Sequence, residues 1–107
     1  LDSIYEEFIS QKNLYSIVAL SEKEVVGFGC IFFFQRVRGG KEAIVEDLIV
    51  SRNHRKLGIG TKILKNLISE AKVRKCFKIC LESEIKSEIF YSKQGFLKGG
   101  STMKYFI

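Results

Sequence analysis

The chain has 107 residues, 46% of them hydrophobic and 28% charged, and its formal net charge is +6. This length suits one domain, which we take to span residues 1–107, and the hydrophobic share supports a packed core and excludes a disordered chain. No hydrophobic run approaches the roughly 20 residues of a transmembrane helix and no signal peptide is visible, so we expect a cytoplasmic protein without a membrane partner.

The first half of the sequence predicts one helix and three antiparallel strands. Hydrophobic residues from Leu1 to Ile9 recur with the spacing of an amphipathic helix, which ends in the polar segment after Ile9. Runs rich in β-branched and aromatic residues predict strands at Tyr15–Leu20, Val25–Gln35 and Ala43–Val50. A polar turn over residues 21–24 joins the first two strands, and Gly39-Gly40 predicts a hairpin turn between the second and third.

The second half predicts alternating helices and strands. A helical stripe runs from Ile59 to about Arg74, and the pattern then predicts a strand, a short helix and a last strand at Cys76–Leu81, Ser87–Lys93 and from Phe96 onward. Ser87 suits the N-cap of the short helix and Gly95 its C′ position. A helix of about 15 residues between two strands indicates a parallel crossover, so we predict an α/β (α+β) fold with a mixed central sheet flanked by helices.

A basic, glycine-containing loop separates the third strand from the long helix. The N–H groups at a helix start have no intrahelical partners and carry partial positive charge. Gly58 and Gly60 should let an anion approach the backbone, while Arg55 and Lys56 add full charges. The loop therefore predicts a pyrophosphate site, although it lacks both the Gly-Lys-Ser/Thr of a Walker loop and the third glycine of a dinucleotide fingerprint.

The other basic residues and the cysteines indicate neither a nucleic-acid site nor a metal site. Basic residues are densest around the same loop, and the aromatic residues lie mostly in hydrophobic strands instead of alternating with Lys and Arg, so we predict no nucleic-acid partner. Cys30, Cys76 and Cys80 lack zinc spacing and lie in hydrophobic segments, which predicts buried, reduced thiols and no metal site.

Several motifs together resemble the GNAT acetyltransferase superfamily. Arg55-x-x-Gly58-x-Gly60 follows a strand, and Phe90-Tyr91-x-Lys93-x-Gly95-Phe96 stands near the end of the chain. More narrowly, the segments Val45–Val50, Cys76–Glu82 and Phe90-Tyr91 resemble eukaryotic glucosamine-6-phosphate N-acetyltransferases. The resemblance implies the GNAT acyl-CoA N-acyltransferase fold, whose members usually carry a further N-terminal strand that this sequence does not show.

The resemblance also implies how acetyl-CoA is held. The strand residues are expected to hydrogen-bond the pantetheine through their main chain, the loop residues to hold the pyrophosphate through backbone amides, and Ser87 to stand where the family usually has a cofactor-binding Asn. The implied cofactor-binding residues are Leu48, Ile49, Val50, Arg55, Lys56, Leu57, Gly58, Ile59, Gly60, Ser87 and Tyr91.

The catalytic and acceptor-binding residues follow from the same resemblance. Tyr91 is implied as the acid for the departing thiolate, and Glu46 and Asp47 as the pair that orients or deprotonates the amine. Because neighbours on a strand point to opposite faces, one of these two carboxylates should face inward or toward a cleft. Glu82 is a further substrate-side acid, and Lys104 is expected to replace the family's phosphate-binding Arg.

The function implied is acetylation of glucosamine 6-phosphate by acetyl-CoA, for UDP-N-acetylglucosamine synthesis, through direct attack of the amine in a homodimer that shares or exchanges its last strand. Two alternatives stay open. One is a GNAT enzyme for another amine, such as a protein N-terminus, a lysine or a small amine. The other is a non-catalytic module that binds CoA or nucleic acid.

Overall fold

A computed structural model describes residues 2–107; Leu1, which we included in the first helix, lies outside the described residues. The helices are α1 (Asp2–Ile9), α2 (Ile59–Val73) and α3 (Glu88–Lys93), and the strands are β1 (Leu14–Ser21), β2 (Glu24–Gln35), β3 (Lys41–Val50) and β4 (Lys78–Leu81). Short 3-10 turns at Arg52–His54 and Ile85–Ser87 precede α2 and α3. The predicted order is thus confirmed as far as α3.

The four strands form one sheet in the order β1-β2-β3-β4. The first three are antiparallel neighbours and β3 pairs in parallel with β4, which confirms the predicted crossover through α2. At the hairpin between β2 and β3, Gly39 and Gly40 have φ angles of +96° and +86°. A side chain would be strained in that conformation, which explains why glycine occupies both positions.

Helix α2 covers one face of the sheet and supplies one side of the core. The buried cluster consists of Ile31, Phe33, Ala43, Val45, Ile63, Leu64, Leu67 and Ala71. Helix and sheet approach closely over two glycines of β2: a Cβ added to Gly29 would lie 2.4 Å from Ile63 Cγ2, and one added to Gly27 would lie 2.8 Å from Ile63 Cδ1. The lack of a side chain at these two positions of β2 therefore sets how near α2 can lie.

Helix α1 packs on the opposite face of the sheet. Phe28 lies between the two glycines that face α2, so its side chain points the other way, and its ring centroid is 6.3 Å from that of Phe8. Cys30, two residues further along the same face, is fully buried. None of the helices in residues 2–107 has both the length and the hydrophobicity to cross a bilayer.

Two predictions are wrong. No strand forms after Phe96: within the described chain, residues 97–107 are exposed and have no regular secondary structure. β4 is consequently an edge strand. The expectation that all three cysteines are buried also fails, because Cys80 on this edge strand is exposed, with its Sγ 4.0 Å from Glu42 Oε1, whereas Cys76 is half-buried.

Candidate functional site

Strands β3 and β4 separate half-way along β3. Their parallel pairing runs only from Glu42 opposite Lys78 to Val45 opposite Leu81. β3 then continues to Val50 while β4 ends. The second half of β3 therefore has an edge on the β4 side that forms no ladder hydrogen bonds with β4, and backbone N–H and C=O groups on such an edge can accept another extended chain.

A β-bulge lies where the two strands separate. Cys30 pairs with Asp47 but the next residue of β2 pairs with Val45, so Glu46 is the extra residue on β3. Val45 and Leu48 both pack against the core under α2, which places the two residues between them away from that core. Glu46 and Asp47 are both exposed. The expected alternation is wrong here because the bulge breaks it.

Asp47 contacts a buried thiol on the neighbouring strand. The Sγ of Cys30 lies 3.9 Å from Asp47 Oδ2 and can donate a weak hydrogen bond to it. Burial, as the largest cause, raises the pKa of the Cys30 thiol to about 11. The thiol thus stays protonated beside the carboxylate. Sequence reasoning missed this contact, because cross-strand register is not visible in the spacing of residues.

The basic loop turns directly from β3 into α2. Gly58 is the N-cap of α2 with a φ angle of +81°, and no side chain caps the first turn. The Nε of Arg55 donates to the carbonyl of Val50 at 3.3 Å, which ties the loop to the end of β3. Lys56 and Leu57 are exposed beside it. The helix start thus presents uncapped amides next to two exposed cations, the arrangement that favours an anion.

The second glycine of the loop lies against hydrophobic side chains. A Cβ added to Gly60 would be 3.6 Å from Val50 Cγ2 and 3.7 Å from Phe90 Cζ, whereas nothing lies within 4 Å of one added to Gly58. Ile59 packs against the core beside it. The end of β3, the start of α2 and helix α3 therefore meet at Gly60.

Tyr91 is on α3 next to this junction. Its ring packs edge-on against Phe90 and Phe96, with centroid distances of 5.1 and 5.8 Å. Burial raises the pKa of its phenol above the usual 10. Tyr91 therefore keeps its proton at neutral pH and can act as a hydrogen-bond donor.

Glu82, Ser87 and Lys104 were also predicted as site residues, and Glu82 directly follows the last residue of β4. Lys104 Nζ is 3.8 Å from Glu82 Oε2, and both side chains are exposed. Ser87 occupies the predicted N-cap position of α3 but makes no capping hydrogen bond, while Gly95, with φ of +99°, follows the helix as predicted.

On β3, Leu48 and Val50 are half-buried and Ile49 is exposed. Among residues 2–107 there is no group of three His, Cys, Asp or Glu side chains that could hold a metal ion.

Comparison with known proteins identifies this arrangement of strand, loop and helix. Residues 1–96 match the profile of the acetyltransferase (GNAT) family. The chain belongs to the GNAT family. Its mixed sheet and flanking helices are therefore the GNAT fold, as the motifs predicted.

Relatives within the GNAT family carry a more specific name. The chain is 31% identical over 87 residues to a probable glucosamine 6-phosphate N-acetyltransferase 2 of Oryza sativa subsp. japonica, which covers 79% of this chain and 52% of the rice protein. It is also 31% identical over 111 residues to the glucosamine 6-phosphate N-acetyltransferase of Arabidopsis thaliana, covering 98% of this chain and 74% of that protein. The chain thus spans about half the length of the rice relative.

A solved structure shares this fold. The crystal structure of the Arabidopsis thaliana glucosamine-6-phosphate N-acetyltransferase superposes with a TM-score of 0.89 over 98% of this chain and 75% of the other. The two sequences are 23% identical in that superposition, so the likeness concerns the fold.

Proposed function

We propose that this GNAT chain is an acetyl-CoA-dependent N-acetyltransferase that acetylates glucosamine 6-phosphate, in the synthesis of UDP-N-acetylglucosamine. The observation that carries the proposal is the bulge in β3, which presents Glu46 and Asp47 together beside the gap between β3 and β4. Relatives with about 31% identity are named for this reaction.

The gap between β3 and β4 and the start of α2 would each bind one part of acetyl-CoA. Main-chain groups of Leu48, Ile49 and Val50 on the edge of β3 that faces away from β2 would hydrogen-bond the pantetheine, which would lie there like an added strand. The uncapped amides from Gly58 onward, with Arg55, would hold the pyrophosphate. β3 leads directly into the loop, so the two sites are continuous. The thioester would then lie near the bulge.

The bulge carboxylates would prepare the acceptor amine. Glu46 and Asp47 attract its ammonium form and accept the proton that it must lose, either directly or through water. The neutral amine attacks the thioester carbonyl, so a C–N bond forms, and a main-chain N–H near Leu48 stabilises the oxyanion. When the C–S bond breaks, the phenol of Tyr91 donates to the departing CoA thiolate. No covalent enzyme intermediate is needed.

The sugar phosphate would bind at the open end of β4. Glu82 and Lys104 already form an ion pair there. The family resemblance implies that Phe106 stands where the family has its phosphate-binding Arg, and Lys104 would replace that Arg. An ammonium is a point charge without the bidentate geometry of a guanidinium. Lys104 should therefore hold the phosphate less specifically than Arg would.

The exposed end of the chain supports a homodimer. Hydrophobic side chains in residues 97–107 lie in solvent, with Phe106 87% exposed, and β4 offers an unpaired edge beside a cleft of about 1160 Å³. Exposed edges and hydrophobic segments of this kind are normally covered. The last segment of a second copy would cover both, and would bring a second Lys104 to the acceptor site.

A CoA-release assay with a panel of amines tests the proposal. Glucosamine 6-phosphate should be the best acceptor, ahead of glucosamine, a lysine peptide and a peptide with a free N-terminus. Tyr91→Phe should lower turnover about a hundredfold, since loss of a general acid has that order of effect, while calorimetry shows unchanged acetyl-CoA binding. Strong turnover of a peptide without turnover of the phosphosugar would contradict the acceptor, and a chain that binds CoA but acetylates nothing would contradict the enzyme.

A further inference from the structure

A second basic surface lies at the end of the sheet opposite the cofactor loop. The parallel strands β3 and β4 begin there, α2 ends there after running back along the sheet, and the β2–β3 hairpin closes it. These elements bring together Arg36, Arg38, Lys41, Arg74, Lys75 and Lys78, which we call the hairpin-end surface. In the sequence these residues are spread over 43 positions, so the cluster exists only in the folded chain.

Direct contacts hold these elements together. The N–H of Phe77 donates to the carbonyl of Lys41 at 2.9 Å. The carboxylate of Glu42, only 3% exposed, binds the guanidinium of Arg36 on one side and lies 3.6 Å from Lys78 Nζ on the other. Glu70 pairs with Arg74 at 2.9 Å. Two carboxylates thus pair with three of the six cations, and among residues 2–107 Arg38, Lys41 and Lys75 form no ion pair.

Acetyl-CoA does not account for this charge. β3 has ten residues and runs from Lys41 at the hairpin end to Val50 at the cofactor loop, which is roughly 30 Å at about 3.3 Å per residue. The cations of the hairpin-end surface are therefore too far away to hold the pyrophosphate. A separate anion would have to be their partner.

An exposed aromatic ring lies within the same surface. Phe77 is 62% exposed, and Lys78 Nζ is 5.8 Å from its ring centroid. One side of the ring rests on the hairpin, where a Cβ added to Gly40 would be 2.9 Å from Phe77 Cε1. The rest of the ring faces solvent. The sequence predicted no nucleic-acid partner because its aromatics fall mostly in hydrophobic strands, but Phe77 lies outside β4 and among lysines.

We propose that the hairpin-end surface binds single-stranded nucleic acid, with its cations on the phosphates and Phe77 stacked on a base. Single-strand binders combine these two features, and the stacking tolerates any base sequence. An anionic membrane would use the same cations but would need a larger hydrophobic surface than Phe77 and the exposed Val37 of the hairpin provide. The proposal is independent of the acetyl-transfer reaction.

Fluorescence anisotropy with a labelled 20-nucleotide single-stranded RNA, and the same sequence as DNA, tests the proposal. If about three phosphates are bound, affinity should fall roughly twentyfold between 50 and 200 mM salt, since each contact contributes a log–log slope of about −0.7. Lys75→Glu should weaken binding and flatten that slope. Phe77→Leu, which keeps a hydrophobic side chain without a ring, should weaken binding at least about fivefold.

The chain offers a matched control for the charge change. Lys23 and Lys75 are both exposed and both have left-handed φ angles, +73° and +63°. Lys23 lies in the β1–β2 turn, at the end of the sheet where Gly27 pairs with Val50. Lys23→Glu should therefore change the net charge equally but leave RNA binding within about twofold, apart from the general effect of charge on association.

Three results would overturn the proposal. The first is an equal loss of binding in Lys23→Glu and Lys75→Glu. The second is displacement of the RNA by saturating CoA, which would move the nucleic acid to the cofactor loop. The third is binding to phosphatidylserine vesicles without binding to either oligonucleotide, which would assign the surface to a membrane. None of these measurements depends on acetyl transfer, so failure of that function would not affect them.

Discussion

At the scale of single residues, the three thiols differ in burial and therefore in reactivity. Cys30 is fully buried, and its pKa of about 11 leaves less than roughly one thiolate in a thousand at pH 7.5. Cys80 is exposed. We expect a disulfide reagent at pH 7.5 to label Cys80 within minutes and Cys30 only after denaturation. Mass spectrometry of the digested protein would locate each label.

Cys76 serves as the internal control, because it is half-buried and desolvation raises its pKa as well. It should react at a rate between those of the other two thiols. Labelling of Cys30 in the native protein as fast as Cys80 would show that the face of the sheet under α1 opens readily, which contradicts the packing described here.

At the scale of elements, the contact between α2 and β2 depends on a missing side chain. A Cβ at Gly29 would lie 2.4 Å from Ile63 and 3.2 Å from Leu67. Both neighbours belong to the buried cluster, so relief requires α2 to move. Gly29→Ala should therefore lower the free energy of unfolding by about 1–3 kcal/mol, the usual cost of overpacking. Urea denaturation followed by circular dichroism measures this.

Gly99→Ala is the control for that change. Nothing lies within 4 Å of a Cβ added to Gly99, so this substitution should change stability by less than about 0.5 kcal/mol. Similar losses in the two variants would mean that the approach of α2 to β2 is not limited by Gly29.

A buried carboxylate joins the same strands at the hairpin end. The hydrogen bond from Arg36 is the main cause that lowers the pKa of Glu42 below its usual 4.5, and Lys78 adds to it. A lowered folded pKa means that the ionised form contributes stability above about pH 4.5, which is lost as the pH falls through the folded value. Glu42→Gln should lower the melting temperature at pH 7, and its difference from the parent chain should shrink below pH 4.5.

An exposed pair provides the comparison for Glu42. Glu84 and Lys86 lie 3.4 Å apart with both side chains largely in solvent, and such pairs contribute little. Glu84→Gln should leave the melting temperature nearly unchanged at every pH. If the Glu42→Gln difference stayed constant down to pH 3, its cause would be packing and not charge.

At the scale of the whole molecule, the periodicity of hydrophobic residues predicted the helices and strands that bury one face. It did not predict features that depend on contacts between residues distant in sequence. Strands β1 to β3 and helix α2 follow from hydrophobic spacing alone. The bulge at Glu46 depends on pairing with Cys30, which no local pattern encodes. The hairpin-end cations come from two distant segments, residues 36–41 and residues 74–78. The segment after Phe96 has the composition of a strand but pairs with no other strand among residues 2–107.

That missing partner leads to a prediction for the assembly. If a second copy supplies it, the chain should elute as a dimer of twice 12.3 kDa in size-exclusion chromatography with light scattering. A carboxylate at position 106 would be costly to bury at the interface, so Phe106→Glu should weaken dimerisation at least tenfold. Val37→Glu is the matched control, because Val37 is also a fully exposed hydrophobic residue but lies at the β2–β3 hairpin. A monomer for the unchanged chain, or equal weakening by both substitutions, would remove the C-terminal segment as the dimer contact and with it the second Lys104 from the acceptor site.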